Sequence, residues 1–483
     1  HNPALYMEIE IEETYAVLEE IYLSSEGTST PDLVRALRIF YAKDSLEHKL
    51  DQAFSQSQGG KGSLIFSGSL KLPKGKHYLW LSVELEANYP IDGFVKYSCI
   101  AAKFKGNKWG EIQDKYPLEK LRVGQLLRAK GQEGVDTYRI PGLATTLEGS
   151  LIGVYDTRRN SATDLQEDID VAMSRSTDGG QTWEAMKIIM DMEEWGGKPE
   201  IENGIGDPSV LVDREKGIVW VAAVWAHGHP GKRNWWASRP GMSPKESSQF
   251  VLVKSTDEGK TWSEPINITA QIKDSSWYLL LQGPGKGIQM KDGTLVFPAQ
   301  FKDEDQMPYS TLIYSKDHGE SWQIGTGAKS NTTEAQLVEL EPGTLMLNMR
   351  DNRGSKNPEG GFRSVAITHD MGKTWLEHPS SGKALPEPVC MASLIKTNYQ
   401  GKEILLFSNP AVSKGPRRNM SLKISLDQGK TWPEKYHLLL NEDKSFGYSC
   451  LTMIDEQTVG ILYEGQKDLF FQRIKLNEIL KPR

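Results

Sequence analysis

Five copies of one eight-residue motif, Ser/Thr-x-Asp-x-Gly-x-Thr/Ser-Trp, constrain the fold of this chain more than any other feature. The copies begin at Ser176, Ser255, Ser315, Thr368 and Ser425. In each copy the Asp can accept backbone N–H bonds across a tight turn, the Gly can adopt a positive φ, and the Trp can pack the turn onto a sheet. Successive copies start 79, 60, 53 and 57 residues apart, a spacing that suits one four-stranded β-propeller blade per copy. We interpret the motifs as structural turns remote from any chemistry.

The segments between the motifs have the pattern of short β-strands. Apolar runs at residues 210–212, 219–224, 295–297, 345–347 and 404–407 are bounded by Gly, Pro, Asp or Asn. None is long enough for an ordinary helix. With 13 Trp and 45 Gly in 483 residues, the pattern predicts an all-β chain rich in turns.

The first quarter of the chain contains no copy of the motif. Residues 6–12 and 78–85 alternate between apolar and polar side chains, as half-buried strands do. We therefore predict a small β-sandwich at residues 1–127 and the propeller at residues 128–483. Residues 32–41 suit a helix or a strand, and the charged stretch 111–117 is the candidate linker.

Composition excludes several classes of protein. A formal net charge of −7 argues against a nucleic-acid binder. The three cysteines, Cys99, Cys390 and Cys450, are too few and too far apart for a disulfide framework or a structural zinc site. No apolar run approaches the roughly 18–20 residues that span a bilayer. The Gly-rich segment 283–287 lacks the strand-to-helix context of a phosphate loop and a Ser or Thr after its Lys, and we expect no metal and no cofactor.

A short segment ahead of the first motif makes the resemblance specific. Tyr138-Arg139-Ile140-Pro141 places its Arg 37 residues before that motif. Together with the five motifs it makes residues 128–483 resemble the secreted bacterial exo-sialidase (neuraminidase) family. The resemblance implies a six-bladed propeller that acts on sialylated glycoproteins, glycolipids or oligosaccharides. Because the chain starts at His1 rather than Met, we also expect a periplasmic or secreted protein whose signal peptide has been removed. We expect it to be a monomer.

Sialic acid carries a carboxylate on its anomeric carbon, and guanidinium groups match carboxylates bidentately. The family uses three arginines from separate blades. Arg139 matches the first, and Arg350, which follows a Gly-Thr turn, matches the second. Arg417 or its neighbour Arg418 matches the third, and counting back from the fifth motif favours Arg417.

The nucleophile follows from electrostatics. A carboxylate nucleophile would be repelled by the carboxylate on the anomeric carbon, whereas a neutral Tyr avoids this but needs a base. Sialidases are known exceptions to two-carboxylate glycosidases for this reason. In the resemblance, Tyr448 within Phe446-Gly-Tyr-Ser-Cys matches the tyrosine and Glu334 within Asn331-Thr-Thr-Glu matches its partner.

The general acid/base should be a mobile carboxylate near the leaving oxygen. Asp164 lies in a loop of Asn, Ser, Ala and Thr and matches the aspartate of the family. Asp156, Asp168 and Asp170 are nearby alternatives, and we rank them lower because Asp156 ends a predicted strand and Asp164 has the more mobile setting.

The resemblance also implies supporting roles. Arg158 matches an additional arginine near O4 of the sugar, and Glu464 matches the glutamate that orients the first arginine. Asp207 suits a site position or a turn equally well. Apolar walls for an N-acetyl methyl group are expected, and Trp195, Trp225 and Trp277 all qualify.

These residues predict an exo-acting, retaining sialidase with a covalent tyrosyl intermediate. A sialic-acid lectin on the same propeller would need only the arginines, and a sialyl transferase would need an acceptor-side aromatic platform that the sequence does not locate. For the N-terminal domain, carbohydrate binding through Tyr78, Trp80 and Tyr89 and a plain packing role are both open.

Overall fold

The computed structural model describes residues 2–42, 52–56, 58–60, 64–110, 113–115, 121–165, 167–228, 232–357 and 360–480. It divides into two compact units, His1–Gly124 and Gln125–Arg483. The sequence places this boundary at 127/128, three residues later. The difference arises because residues 125–128 form a strand that pairs within the second unit.

The first unit is built on one long antiparallel pair of strands, Asn2–Ser24 and Leu64–Leu85. The two strands pair from end to end, and a bulge between Ile11 and Tyr15 divides the pair into two halves flanked by different strands. Side chains from both halves, such as Met7 and Phe66, share one buried cluster, so a single sheet supplies both layers of the sandwich. The main sheet contains β1 (Asn2–Ser24), β2 (Val34–Ala42), β3 (Leu64–Leu85), β5 (Ser98–Phe104), β6 (Lys108–Gly110) and β7 (Gln113–Lys115), and a second sheet pairs β4 (Phe94–Val95) with β8 (Leu121–Arg122).

The structure of this unit bears on a stretch of ambiguous secondary structure, on the candidate linker and on two aromatic side chains. The ambiguous stretch 32–41 is mainly strand β2, preceded by a 3-10 turn at Pro31–Leu33. The linker prediction is wrong for residues 113–115, since they pair with β1 as β7; residues 111, 112, 116 and 117 lie outside the described residues. Trp80 is buried and stacks on Phe40, and Tyr89 is buried too. These two aromatics therefore form no exposed carbohydrate platform.

The second unit contains six blades, antiparallel apart from one short parallel pair in the second blade, which confirms the predicted propeller. Sequential hairpins make each blade, because the connections are short and the turn signals are frequent. Blade one contains β10 (Thr137–Thr145), β11 (Leu151–Arg158), β12 (Ile169–Ser176) and β13 (Lys187–Met190). Blade two contains β14 (Asn203–Asp213), β15 (Ile218–His227), β16 (Gln249–Ser255), β17 (Ile266–Asn267) and β19 (Gly285–Lys286). Blade three contains β18 (Leu279–Gln282), β20 (Ile288–Gln289), β21 (Leu295–Lys302), β22 (Pro308–Ser315) and β23 (Gln323–Ile324).

Blades four to six complete the ring. The sixth blade takes its outer strand from the start of the unit, because Gln125–Arg128 pairs with Leu469–Lys475 and so joins the two ends of the unit in one blade. Blade four contains β24 (Thr332–Glu341), β25 (Thr344–Asp351), β27 (Ser364–Thr368) and β28 (Leu376–Glu377), and a small separate ribbon pairs β26 (Gly361–Phe362) with β29 (Pro386–Glu387). Blade five contains β30 (Ser393–Tyr399), β31 (Lys402–Pro410), β32 (Met420–Ser425) and β33 (His437–Asn441). Blade six contains β34 (Ser449–Met453), β35 (Thr458–Glu464), β36 (Leu469–Lys475) and β9 (Gln125–Arg128).

The five repeated motifs each connect the third and fourth strands of blades one to five. In the first, Asp178 accepts the Thr182 backbone N–H at 2.9 Å and the Ser176 hydroxyl at 2.8 Å. The other four Asp side chains accept the equivalent N–H at the same distance. The motifs are therefore local turns on the blade periphery.

The innermost strands surround the central channel, where β10 contacts both β14 and β34 and β24 contacts β30. The helices α1 (Asn234–Ala237) and α2 (Thr269–Ile272) are single turns. Within the described part of the chain, no helix has the length and apolar character needed to cross a membrane.

Candidate active site

A cavity of about 570 Å³ lies where the innermost strands begin. Strand starts from several blades meet there, which brings together side chains far apart in sequence. Among its lining residues are Ile140, Asp164, Asp207, Trp235, Trp236, Lys302, Glu334, Arg350 and Tyr448.

Glu464 ties the first predicted arginine to the predicted nucleophile. Its Oε1 accepts Arg139 Nε at 3.1 Å and the Ile140 backbone N–H at 2.9 Å, while Oε2 accepts the Tyr448 backbone N–H at 2.9 Å. The backbone conformation contributes to this arrangement, since Ile140 has a φ of 57° and lies at the register shift between Arg139 and Gly142 in β10. Glu464 thus lies where it fixes the Arg139 guanidinium.

Asp164 bridges two guanidinium groups. Its Oδ1 accepts Arg139 Nη1 at 3.0 Å and Arg158 Nη1 at 2.5 Å, yet 53% of the side chain is exposed. Burial of the carboxyl group alone would raise the pKa of Asp164, but the charges of Arg158 and then Arg139 outweigh it and bring the pKa to about 2. In this conformation Asp164 is an ionised acid held at the pocket entrance.

The alternatives to Asp164 occupy other positions. Asp156 is fully buried beneath Arg158, whose Nε and Nη2 donate to it at 3.0 and 2.8 Å. Burial raises the pKa of Asp156 to about 6 despite this pairing. Asp168 and Asp170 pair with Arg159 instead and do not line the cavity.

Asp207 belongs to the site rather than to a remote turn. It lines the cavity at φ 57°, its backbone N–H donates to Asp156 at 2.8 Å, and its carboxylate lies 3.7 Å from Arg158. Burial and then the charge of Asp156 raise the pKa of Asp207 well above its usual value. The Arg158 side of the pocket therefore combines one guanidinium with two buried carboxyl groups, those of Asp156 and Asp207, whose pKa values are both raised.

Tyr448 and Glu334 form a direct hydrogen-bonded pair. The Tyr448 hydroxyl donates to Glu334 Oε1, and Arg350 Nη1 donates to Glu334 Oε2 at 2.6 Å and to Tyr448 Oη at 3.2 Å. Burial, followed by the charge of Glu334, raises the pKa of Tyr448 well above 10 although three arginines oppose the rise. The phenol is neutral in the free site, with a base touching it.

Arg417, rather than Arg418, reaches this pair. The centre of its guanidinium lies 5.6 Å from the Tyr448 ring centroid, and that of Arg139 lies 5.1 Å away. Arg417 donates to the carbonyls of Phe446 and Val389 at 2.7 and 2.8 Å. No carboxylate within the described ranges pairs with it, and Arg418 is exposed. Three guanidiniums thus surround one phenol.

The predicted tryptophan walls are elsewhere. Trp225 is buried in the core of blades one and two with Trp195 against it edge-on, and Trp277 stacks on Phe301. Trp235 and Trp236 line the cavity instead. The sequence signal that could have identified them is two adjacent tryptophans outside any strand pattern, because aromatic side chains outside strands can face a pocket.

A buried lysine holds this tryptophan pair in place. Lys302 Nζ donates to the Trp235 carbonyl at 2.9 Å and lies 5.1 and 5.4 Å from the ring centroids of Trp235 and Trp236. Leu165, Leu279 and Leu281 pack beside Trp235. This wall is apolar, whereas the opposite wall carries the guanidiniums.

The fold and the pocket together define a β-propeller glycosidase with a site for an acidic sugar. In the described part of the chain, no group of three His, Cys, Asp or Glu side chains is placed to hold a metal ion.

Comparison with known proteins gives the family. A family model described as a BNR repeat-like domain matches residues 157–461. The chain is 51% identical to a sialidase of Bacteroides fragilis over 86% of this chain and 76% of that relative. It is 32% identical to a sialidase of Clostridium perfringens over 69% of this chain and 88% of that relative. The solved structure of the Hadza microbial sialidase Hz136 matches with a TM-score of 0.89 and 44% identity over 98% of this chain and 96% of that one. The chain therefore belongs to the sialidase family, which confirms the resemblance seen in the sequence.

Proposed function

We propose that this protein is an exo-acting, retaining sialidase that removes terminal sialic acid from glycoconjugates. The observation that carries the proposal is the Tyr448–Glu334 pair enclosed by Arg139, Arg350 and Arg417. A carboxylate-bearing sugar fits such a cage, since guanidinium forks bind carboxylates strongly when water is excluded. The family membership supports the same conclusion.

Substrate binding replaces an internal contact. The substrate carboxylate competes with Asp164 for Arg139 and gains Arg417, which has no other carboxylate partner among the described residues. Losing the Arg139 contact removes part of what depresses the pKa of Asp164. Binding of the correct anion therefore prepares Asp164 to carry a proton.

In the first chemical step, Tyr448 Oη attacks the anomeric carbon and Glu334 accepts the phenolic proton. The glycosidic C–O bond breaks, and Asp164 donates its proton to the leaving oxygen. Arg350, 3.2 Å from Tyr448 Oη, stabilises phenolate charge as it develops. The product of this step is a sialyl–tyrosine ether-type intermediate.

In the second step, Asp164 removes a proton from water, which attacks the same carbon. The Tyr448–carbon bond breaks, and Glu334 returns the proton to the phenolate oxygen. Two displacements at one carbon leave its configuration unchanged. The sugar is released as the α-anomer.

Replacing Tyr448 with Phe tests the proposal directly. We expect kcat for a fluorogenic sialoside to fall by at least about 10³-fold, because the nucleophile is lost while the arginines remain. Tyr314→Phe is the matched control, since the Tyr314 hydroxyl bonds Gln323 within blade three. Near-normal turnover by Tyr448→Phe refutes the proposed nucleophile.

Transfer to another sugar is the second candidate, and Trp236 favours it. This side chain lines the cavity while 69% of its surface is exposed, as an acceptor platform requires. Incubation with a sialoside and excess lactose separates the two reactions, since only transfer yields sialyllactose. A pure lectin is disfavoured by the Tyr448–Glu334 pair, which binding alone does not need.

We also propose that the protein acts as a monomer in the periplasm or outside the cell. One chain supplies every residue of the cavity described above, which supports a monomer, and sialylated glycoconjugates are extracellular substrates. Light scattering of the purified protein and activity in fractionated cells test these two points.

A further inference from the structure

A second cavity, of about 360 Å³, lies at the opposite end of the innermost strands. Along β10, Arg139 belongs to the first cavity's surroundings and Thr145 lines the second. The six intervening steps of an extended strand span about 20 Å. The two cavities therefore lie at opposite ends of the ring of innermost strands and share no lining residue.

The Gly-rich segment 283–287 places Lys286 in the lining of this second cavity. Gly285 has φ 109°, and a Cβ on it would lie 2.7 Å from Met391 Cε. A Cβ on Gly287 would lie 2.6 Å from the Val296 carbonyl oxygen. The glycines thus allow a close backbone passage that pairs Lys286 with Val210 of β14 and fixes its side chain in the channel.

Two cations in this cavity are uncompensated. Lys286 Nζ has a contact of 3.5 Å to Thr452 Oγ1, and Arg214 Nη2 donates to the Thr145 carbonyl at 3.3 Å. Within the described ranges neither has an ion-pair partner. Burial lowers the pKa of Lys286, and the charge of Arg214 lowers it too, while Cys450 opposes the change.

The carboxylates that line the same cavity are already engaged. Glu403 pairs with Lys396 at 2.8 Å. Glu339 accepts the backbone N–H groups of Lys291 and Gly343 at 2.8 and 2.9 Å. Lys291 adds a further cation to the lining. The balance of charge in the cavity is therefore positive.

We propose that this rear cavity binds a small oxyanion between Lys286 and Arg214. Lys286 is half-buried and Arg214 is exposed at the cavity, so the excess positive charge of the lining is open to solvent and attracts anions. Together the two groups offer up to eight N–H donors, which suit the oxygens of a phosphate or a carboxylate. The cavity, at about 360 Å³, is larger than a halide ion needs and has room for an oxyanion. The site is distinct from the catalytic pocket and does not depend on its function.

Isothermal titration with inorganic phosphate at constant ionic strength tests the proposal, with acetate titrated in parallel. Since the catalytic arginines can also bind these anions, the inhibition constant of each anion against sialoside hydrolysis is measured alongside. We expect Lys286→Met to remove one binding component for phosphate, acetate or both, without changing either inhibition constant. A phosphate-only loss identifies phosphate chemistry, and an acetate-only loss identifies carboxylate chemistry.

Arg214→Gln is the second variant, so that the test survives if Lys286→Met fails to fold. Lys329→Met, which removes an exposed lysine paired with Glu377, is the matched control and should leave both isotherms unchanged. The proposal is overturned if the Lys286 and Arg214 variants bind both anions like the unaltered protein. It is also overturned if chloride produces the same binding component.

Discussion

Asp164 Oδ1 lies 3.0 Å from Arg139 Nη1, so the carboxylate of the predicted acid is bound to an arginine that we propose for the substrate carboxylate. The same oxygen lies 2.5 Å from Arg158 Nη1. The free site therefore holds a carboxylate of its own in the guanidinium cage. In the proposed function, binding a substrate exchanges one carboxylate for another.

Replacing Asp164 with Asn tests this exchange. We expect kcat for natural sialosides to fall about 10²–10⁴-fold, because the leaving oxygen loses its acid. The loss should be smaller for aryl sialosides, whose leaving groups need no proton. Free sialic acid should inhibit more strongly, since Arg139 is released from its internal partner.

Asp168→Asn is the control for this variant, because Asp168 pairs with Arg159 outside the cavity. Weaker inhibition by sialic acid in Asp164→Asn would contradict the exchange. Equal losses for both leaving groups would contradict the acid role.

Arg417 and Arg418 offer a matched pair of substitutions. Truncating one partner of a buried charge pair costs about 2–5 kcal/mol, so Arg417→Met should lower kcat/KM by at least about 30-fold. Arg418→Met should stay near the unaltered value because its side chain is exposed. Steady-state kinetics on one sialoside decides, and a larger effect at Arg418 would reverse the assignment.

After burial, the charge of Glu334 is the next cause that raises the pKa of Tyr448, and we propose that Glu334 also accepts the phenolic proton; Glu334→Gln separates these two effects. We expect the Tyr448 phenol to ionise at lower pH in the variant, seen as phenolate absorbance in a pH titration against the same variant carrying Tyr448→Phe. Turnover should nevertheless fall by about 10²-fold or more, because the base is gone. Faster turnover with a more acidic phenol would show that Glu334 is not the base.

Lys423 predicts the pH dependence of stability. Its ammonium is buried, with Asn409 as its hydrogen-bond partner, and burial lowers the pKa of Lys423 from 10.5 to about 7. Between pH 7 and 10.5 the unfolded chain holds this proton and the folded chain does not, so the free energy of unfolding rises with pH in that window.

Thermal denaturation of Lys423→Met should show a higher Tm at pH 7 and a flatter slope between pH 7 and 10.5. Lys329→Met, at an exposed ion pair, should change neither. A lower Tm for Lys423→Met across the whole range would contradict the assignment of a neutral buried amine.

Local physics explains what the sequence could predict. The Asp178 turn and its four repeats depend on bonds within five residues, so the motif alone indicated five blades, and the sixth followed from the family resemblance. Arg139, Arg350 and Tyr448 could be placed because their order relative to the motifs matches the family. Their convergence around one phenol is a property of the closed ring.

The remaining features depend on distant partners. Pairing of β9 with β36 joins the two ends of the propeller, and no nearby signal marks residues 125–128 as part of the ring. Trp225 and Trp235 lie only ten residues apart, yet one packs in a core and the other faces the pocket. Sequence pattern does not distinguish these two environments, because the difference depends on partners that lie far away in the sequence.

Mass spectrometry of peptides from enzyme quenched with a 3-fluorosialosyl fluoride tests the central claim most directly. The fluorine slows the second displacement, so the first intermediate accumulates. We predict one fluorosialyl adduct, on Tyr448, which is absent from Tyr448→Phe and from enzyme incubated with excess sialic acid. An adduct on Asp164 or Glu334, or steady hydrolysis of the reagent with no adduct on any residue, would contradict a tyrosine nucleophile within the arginine cage.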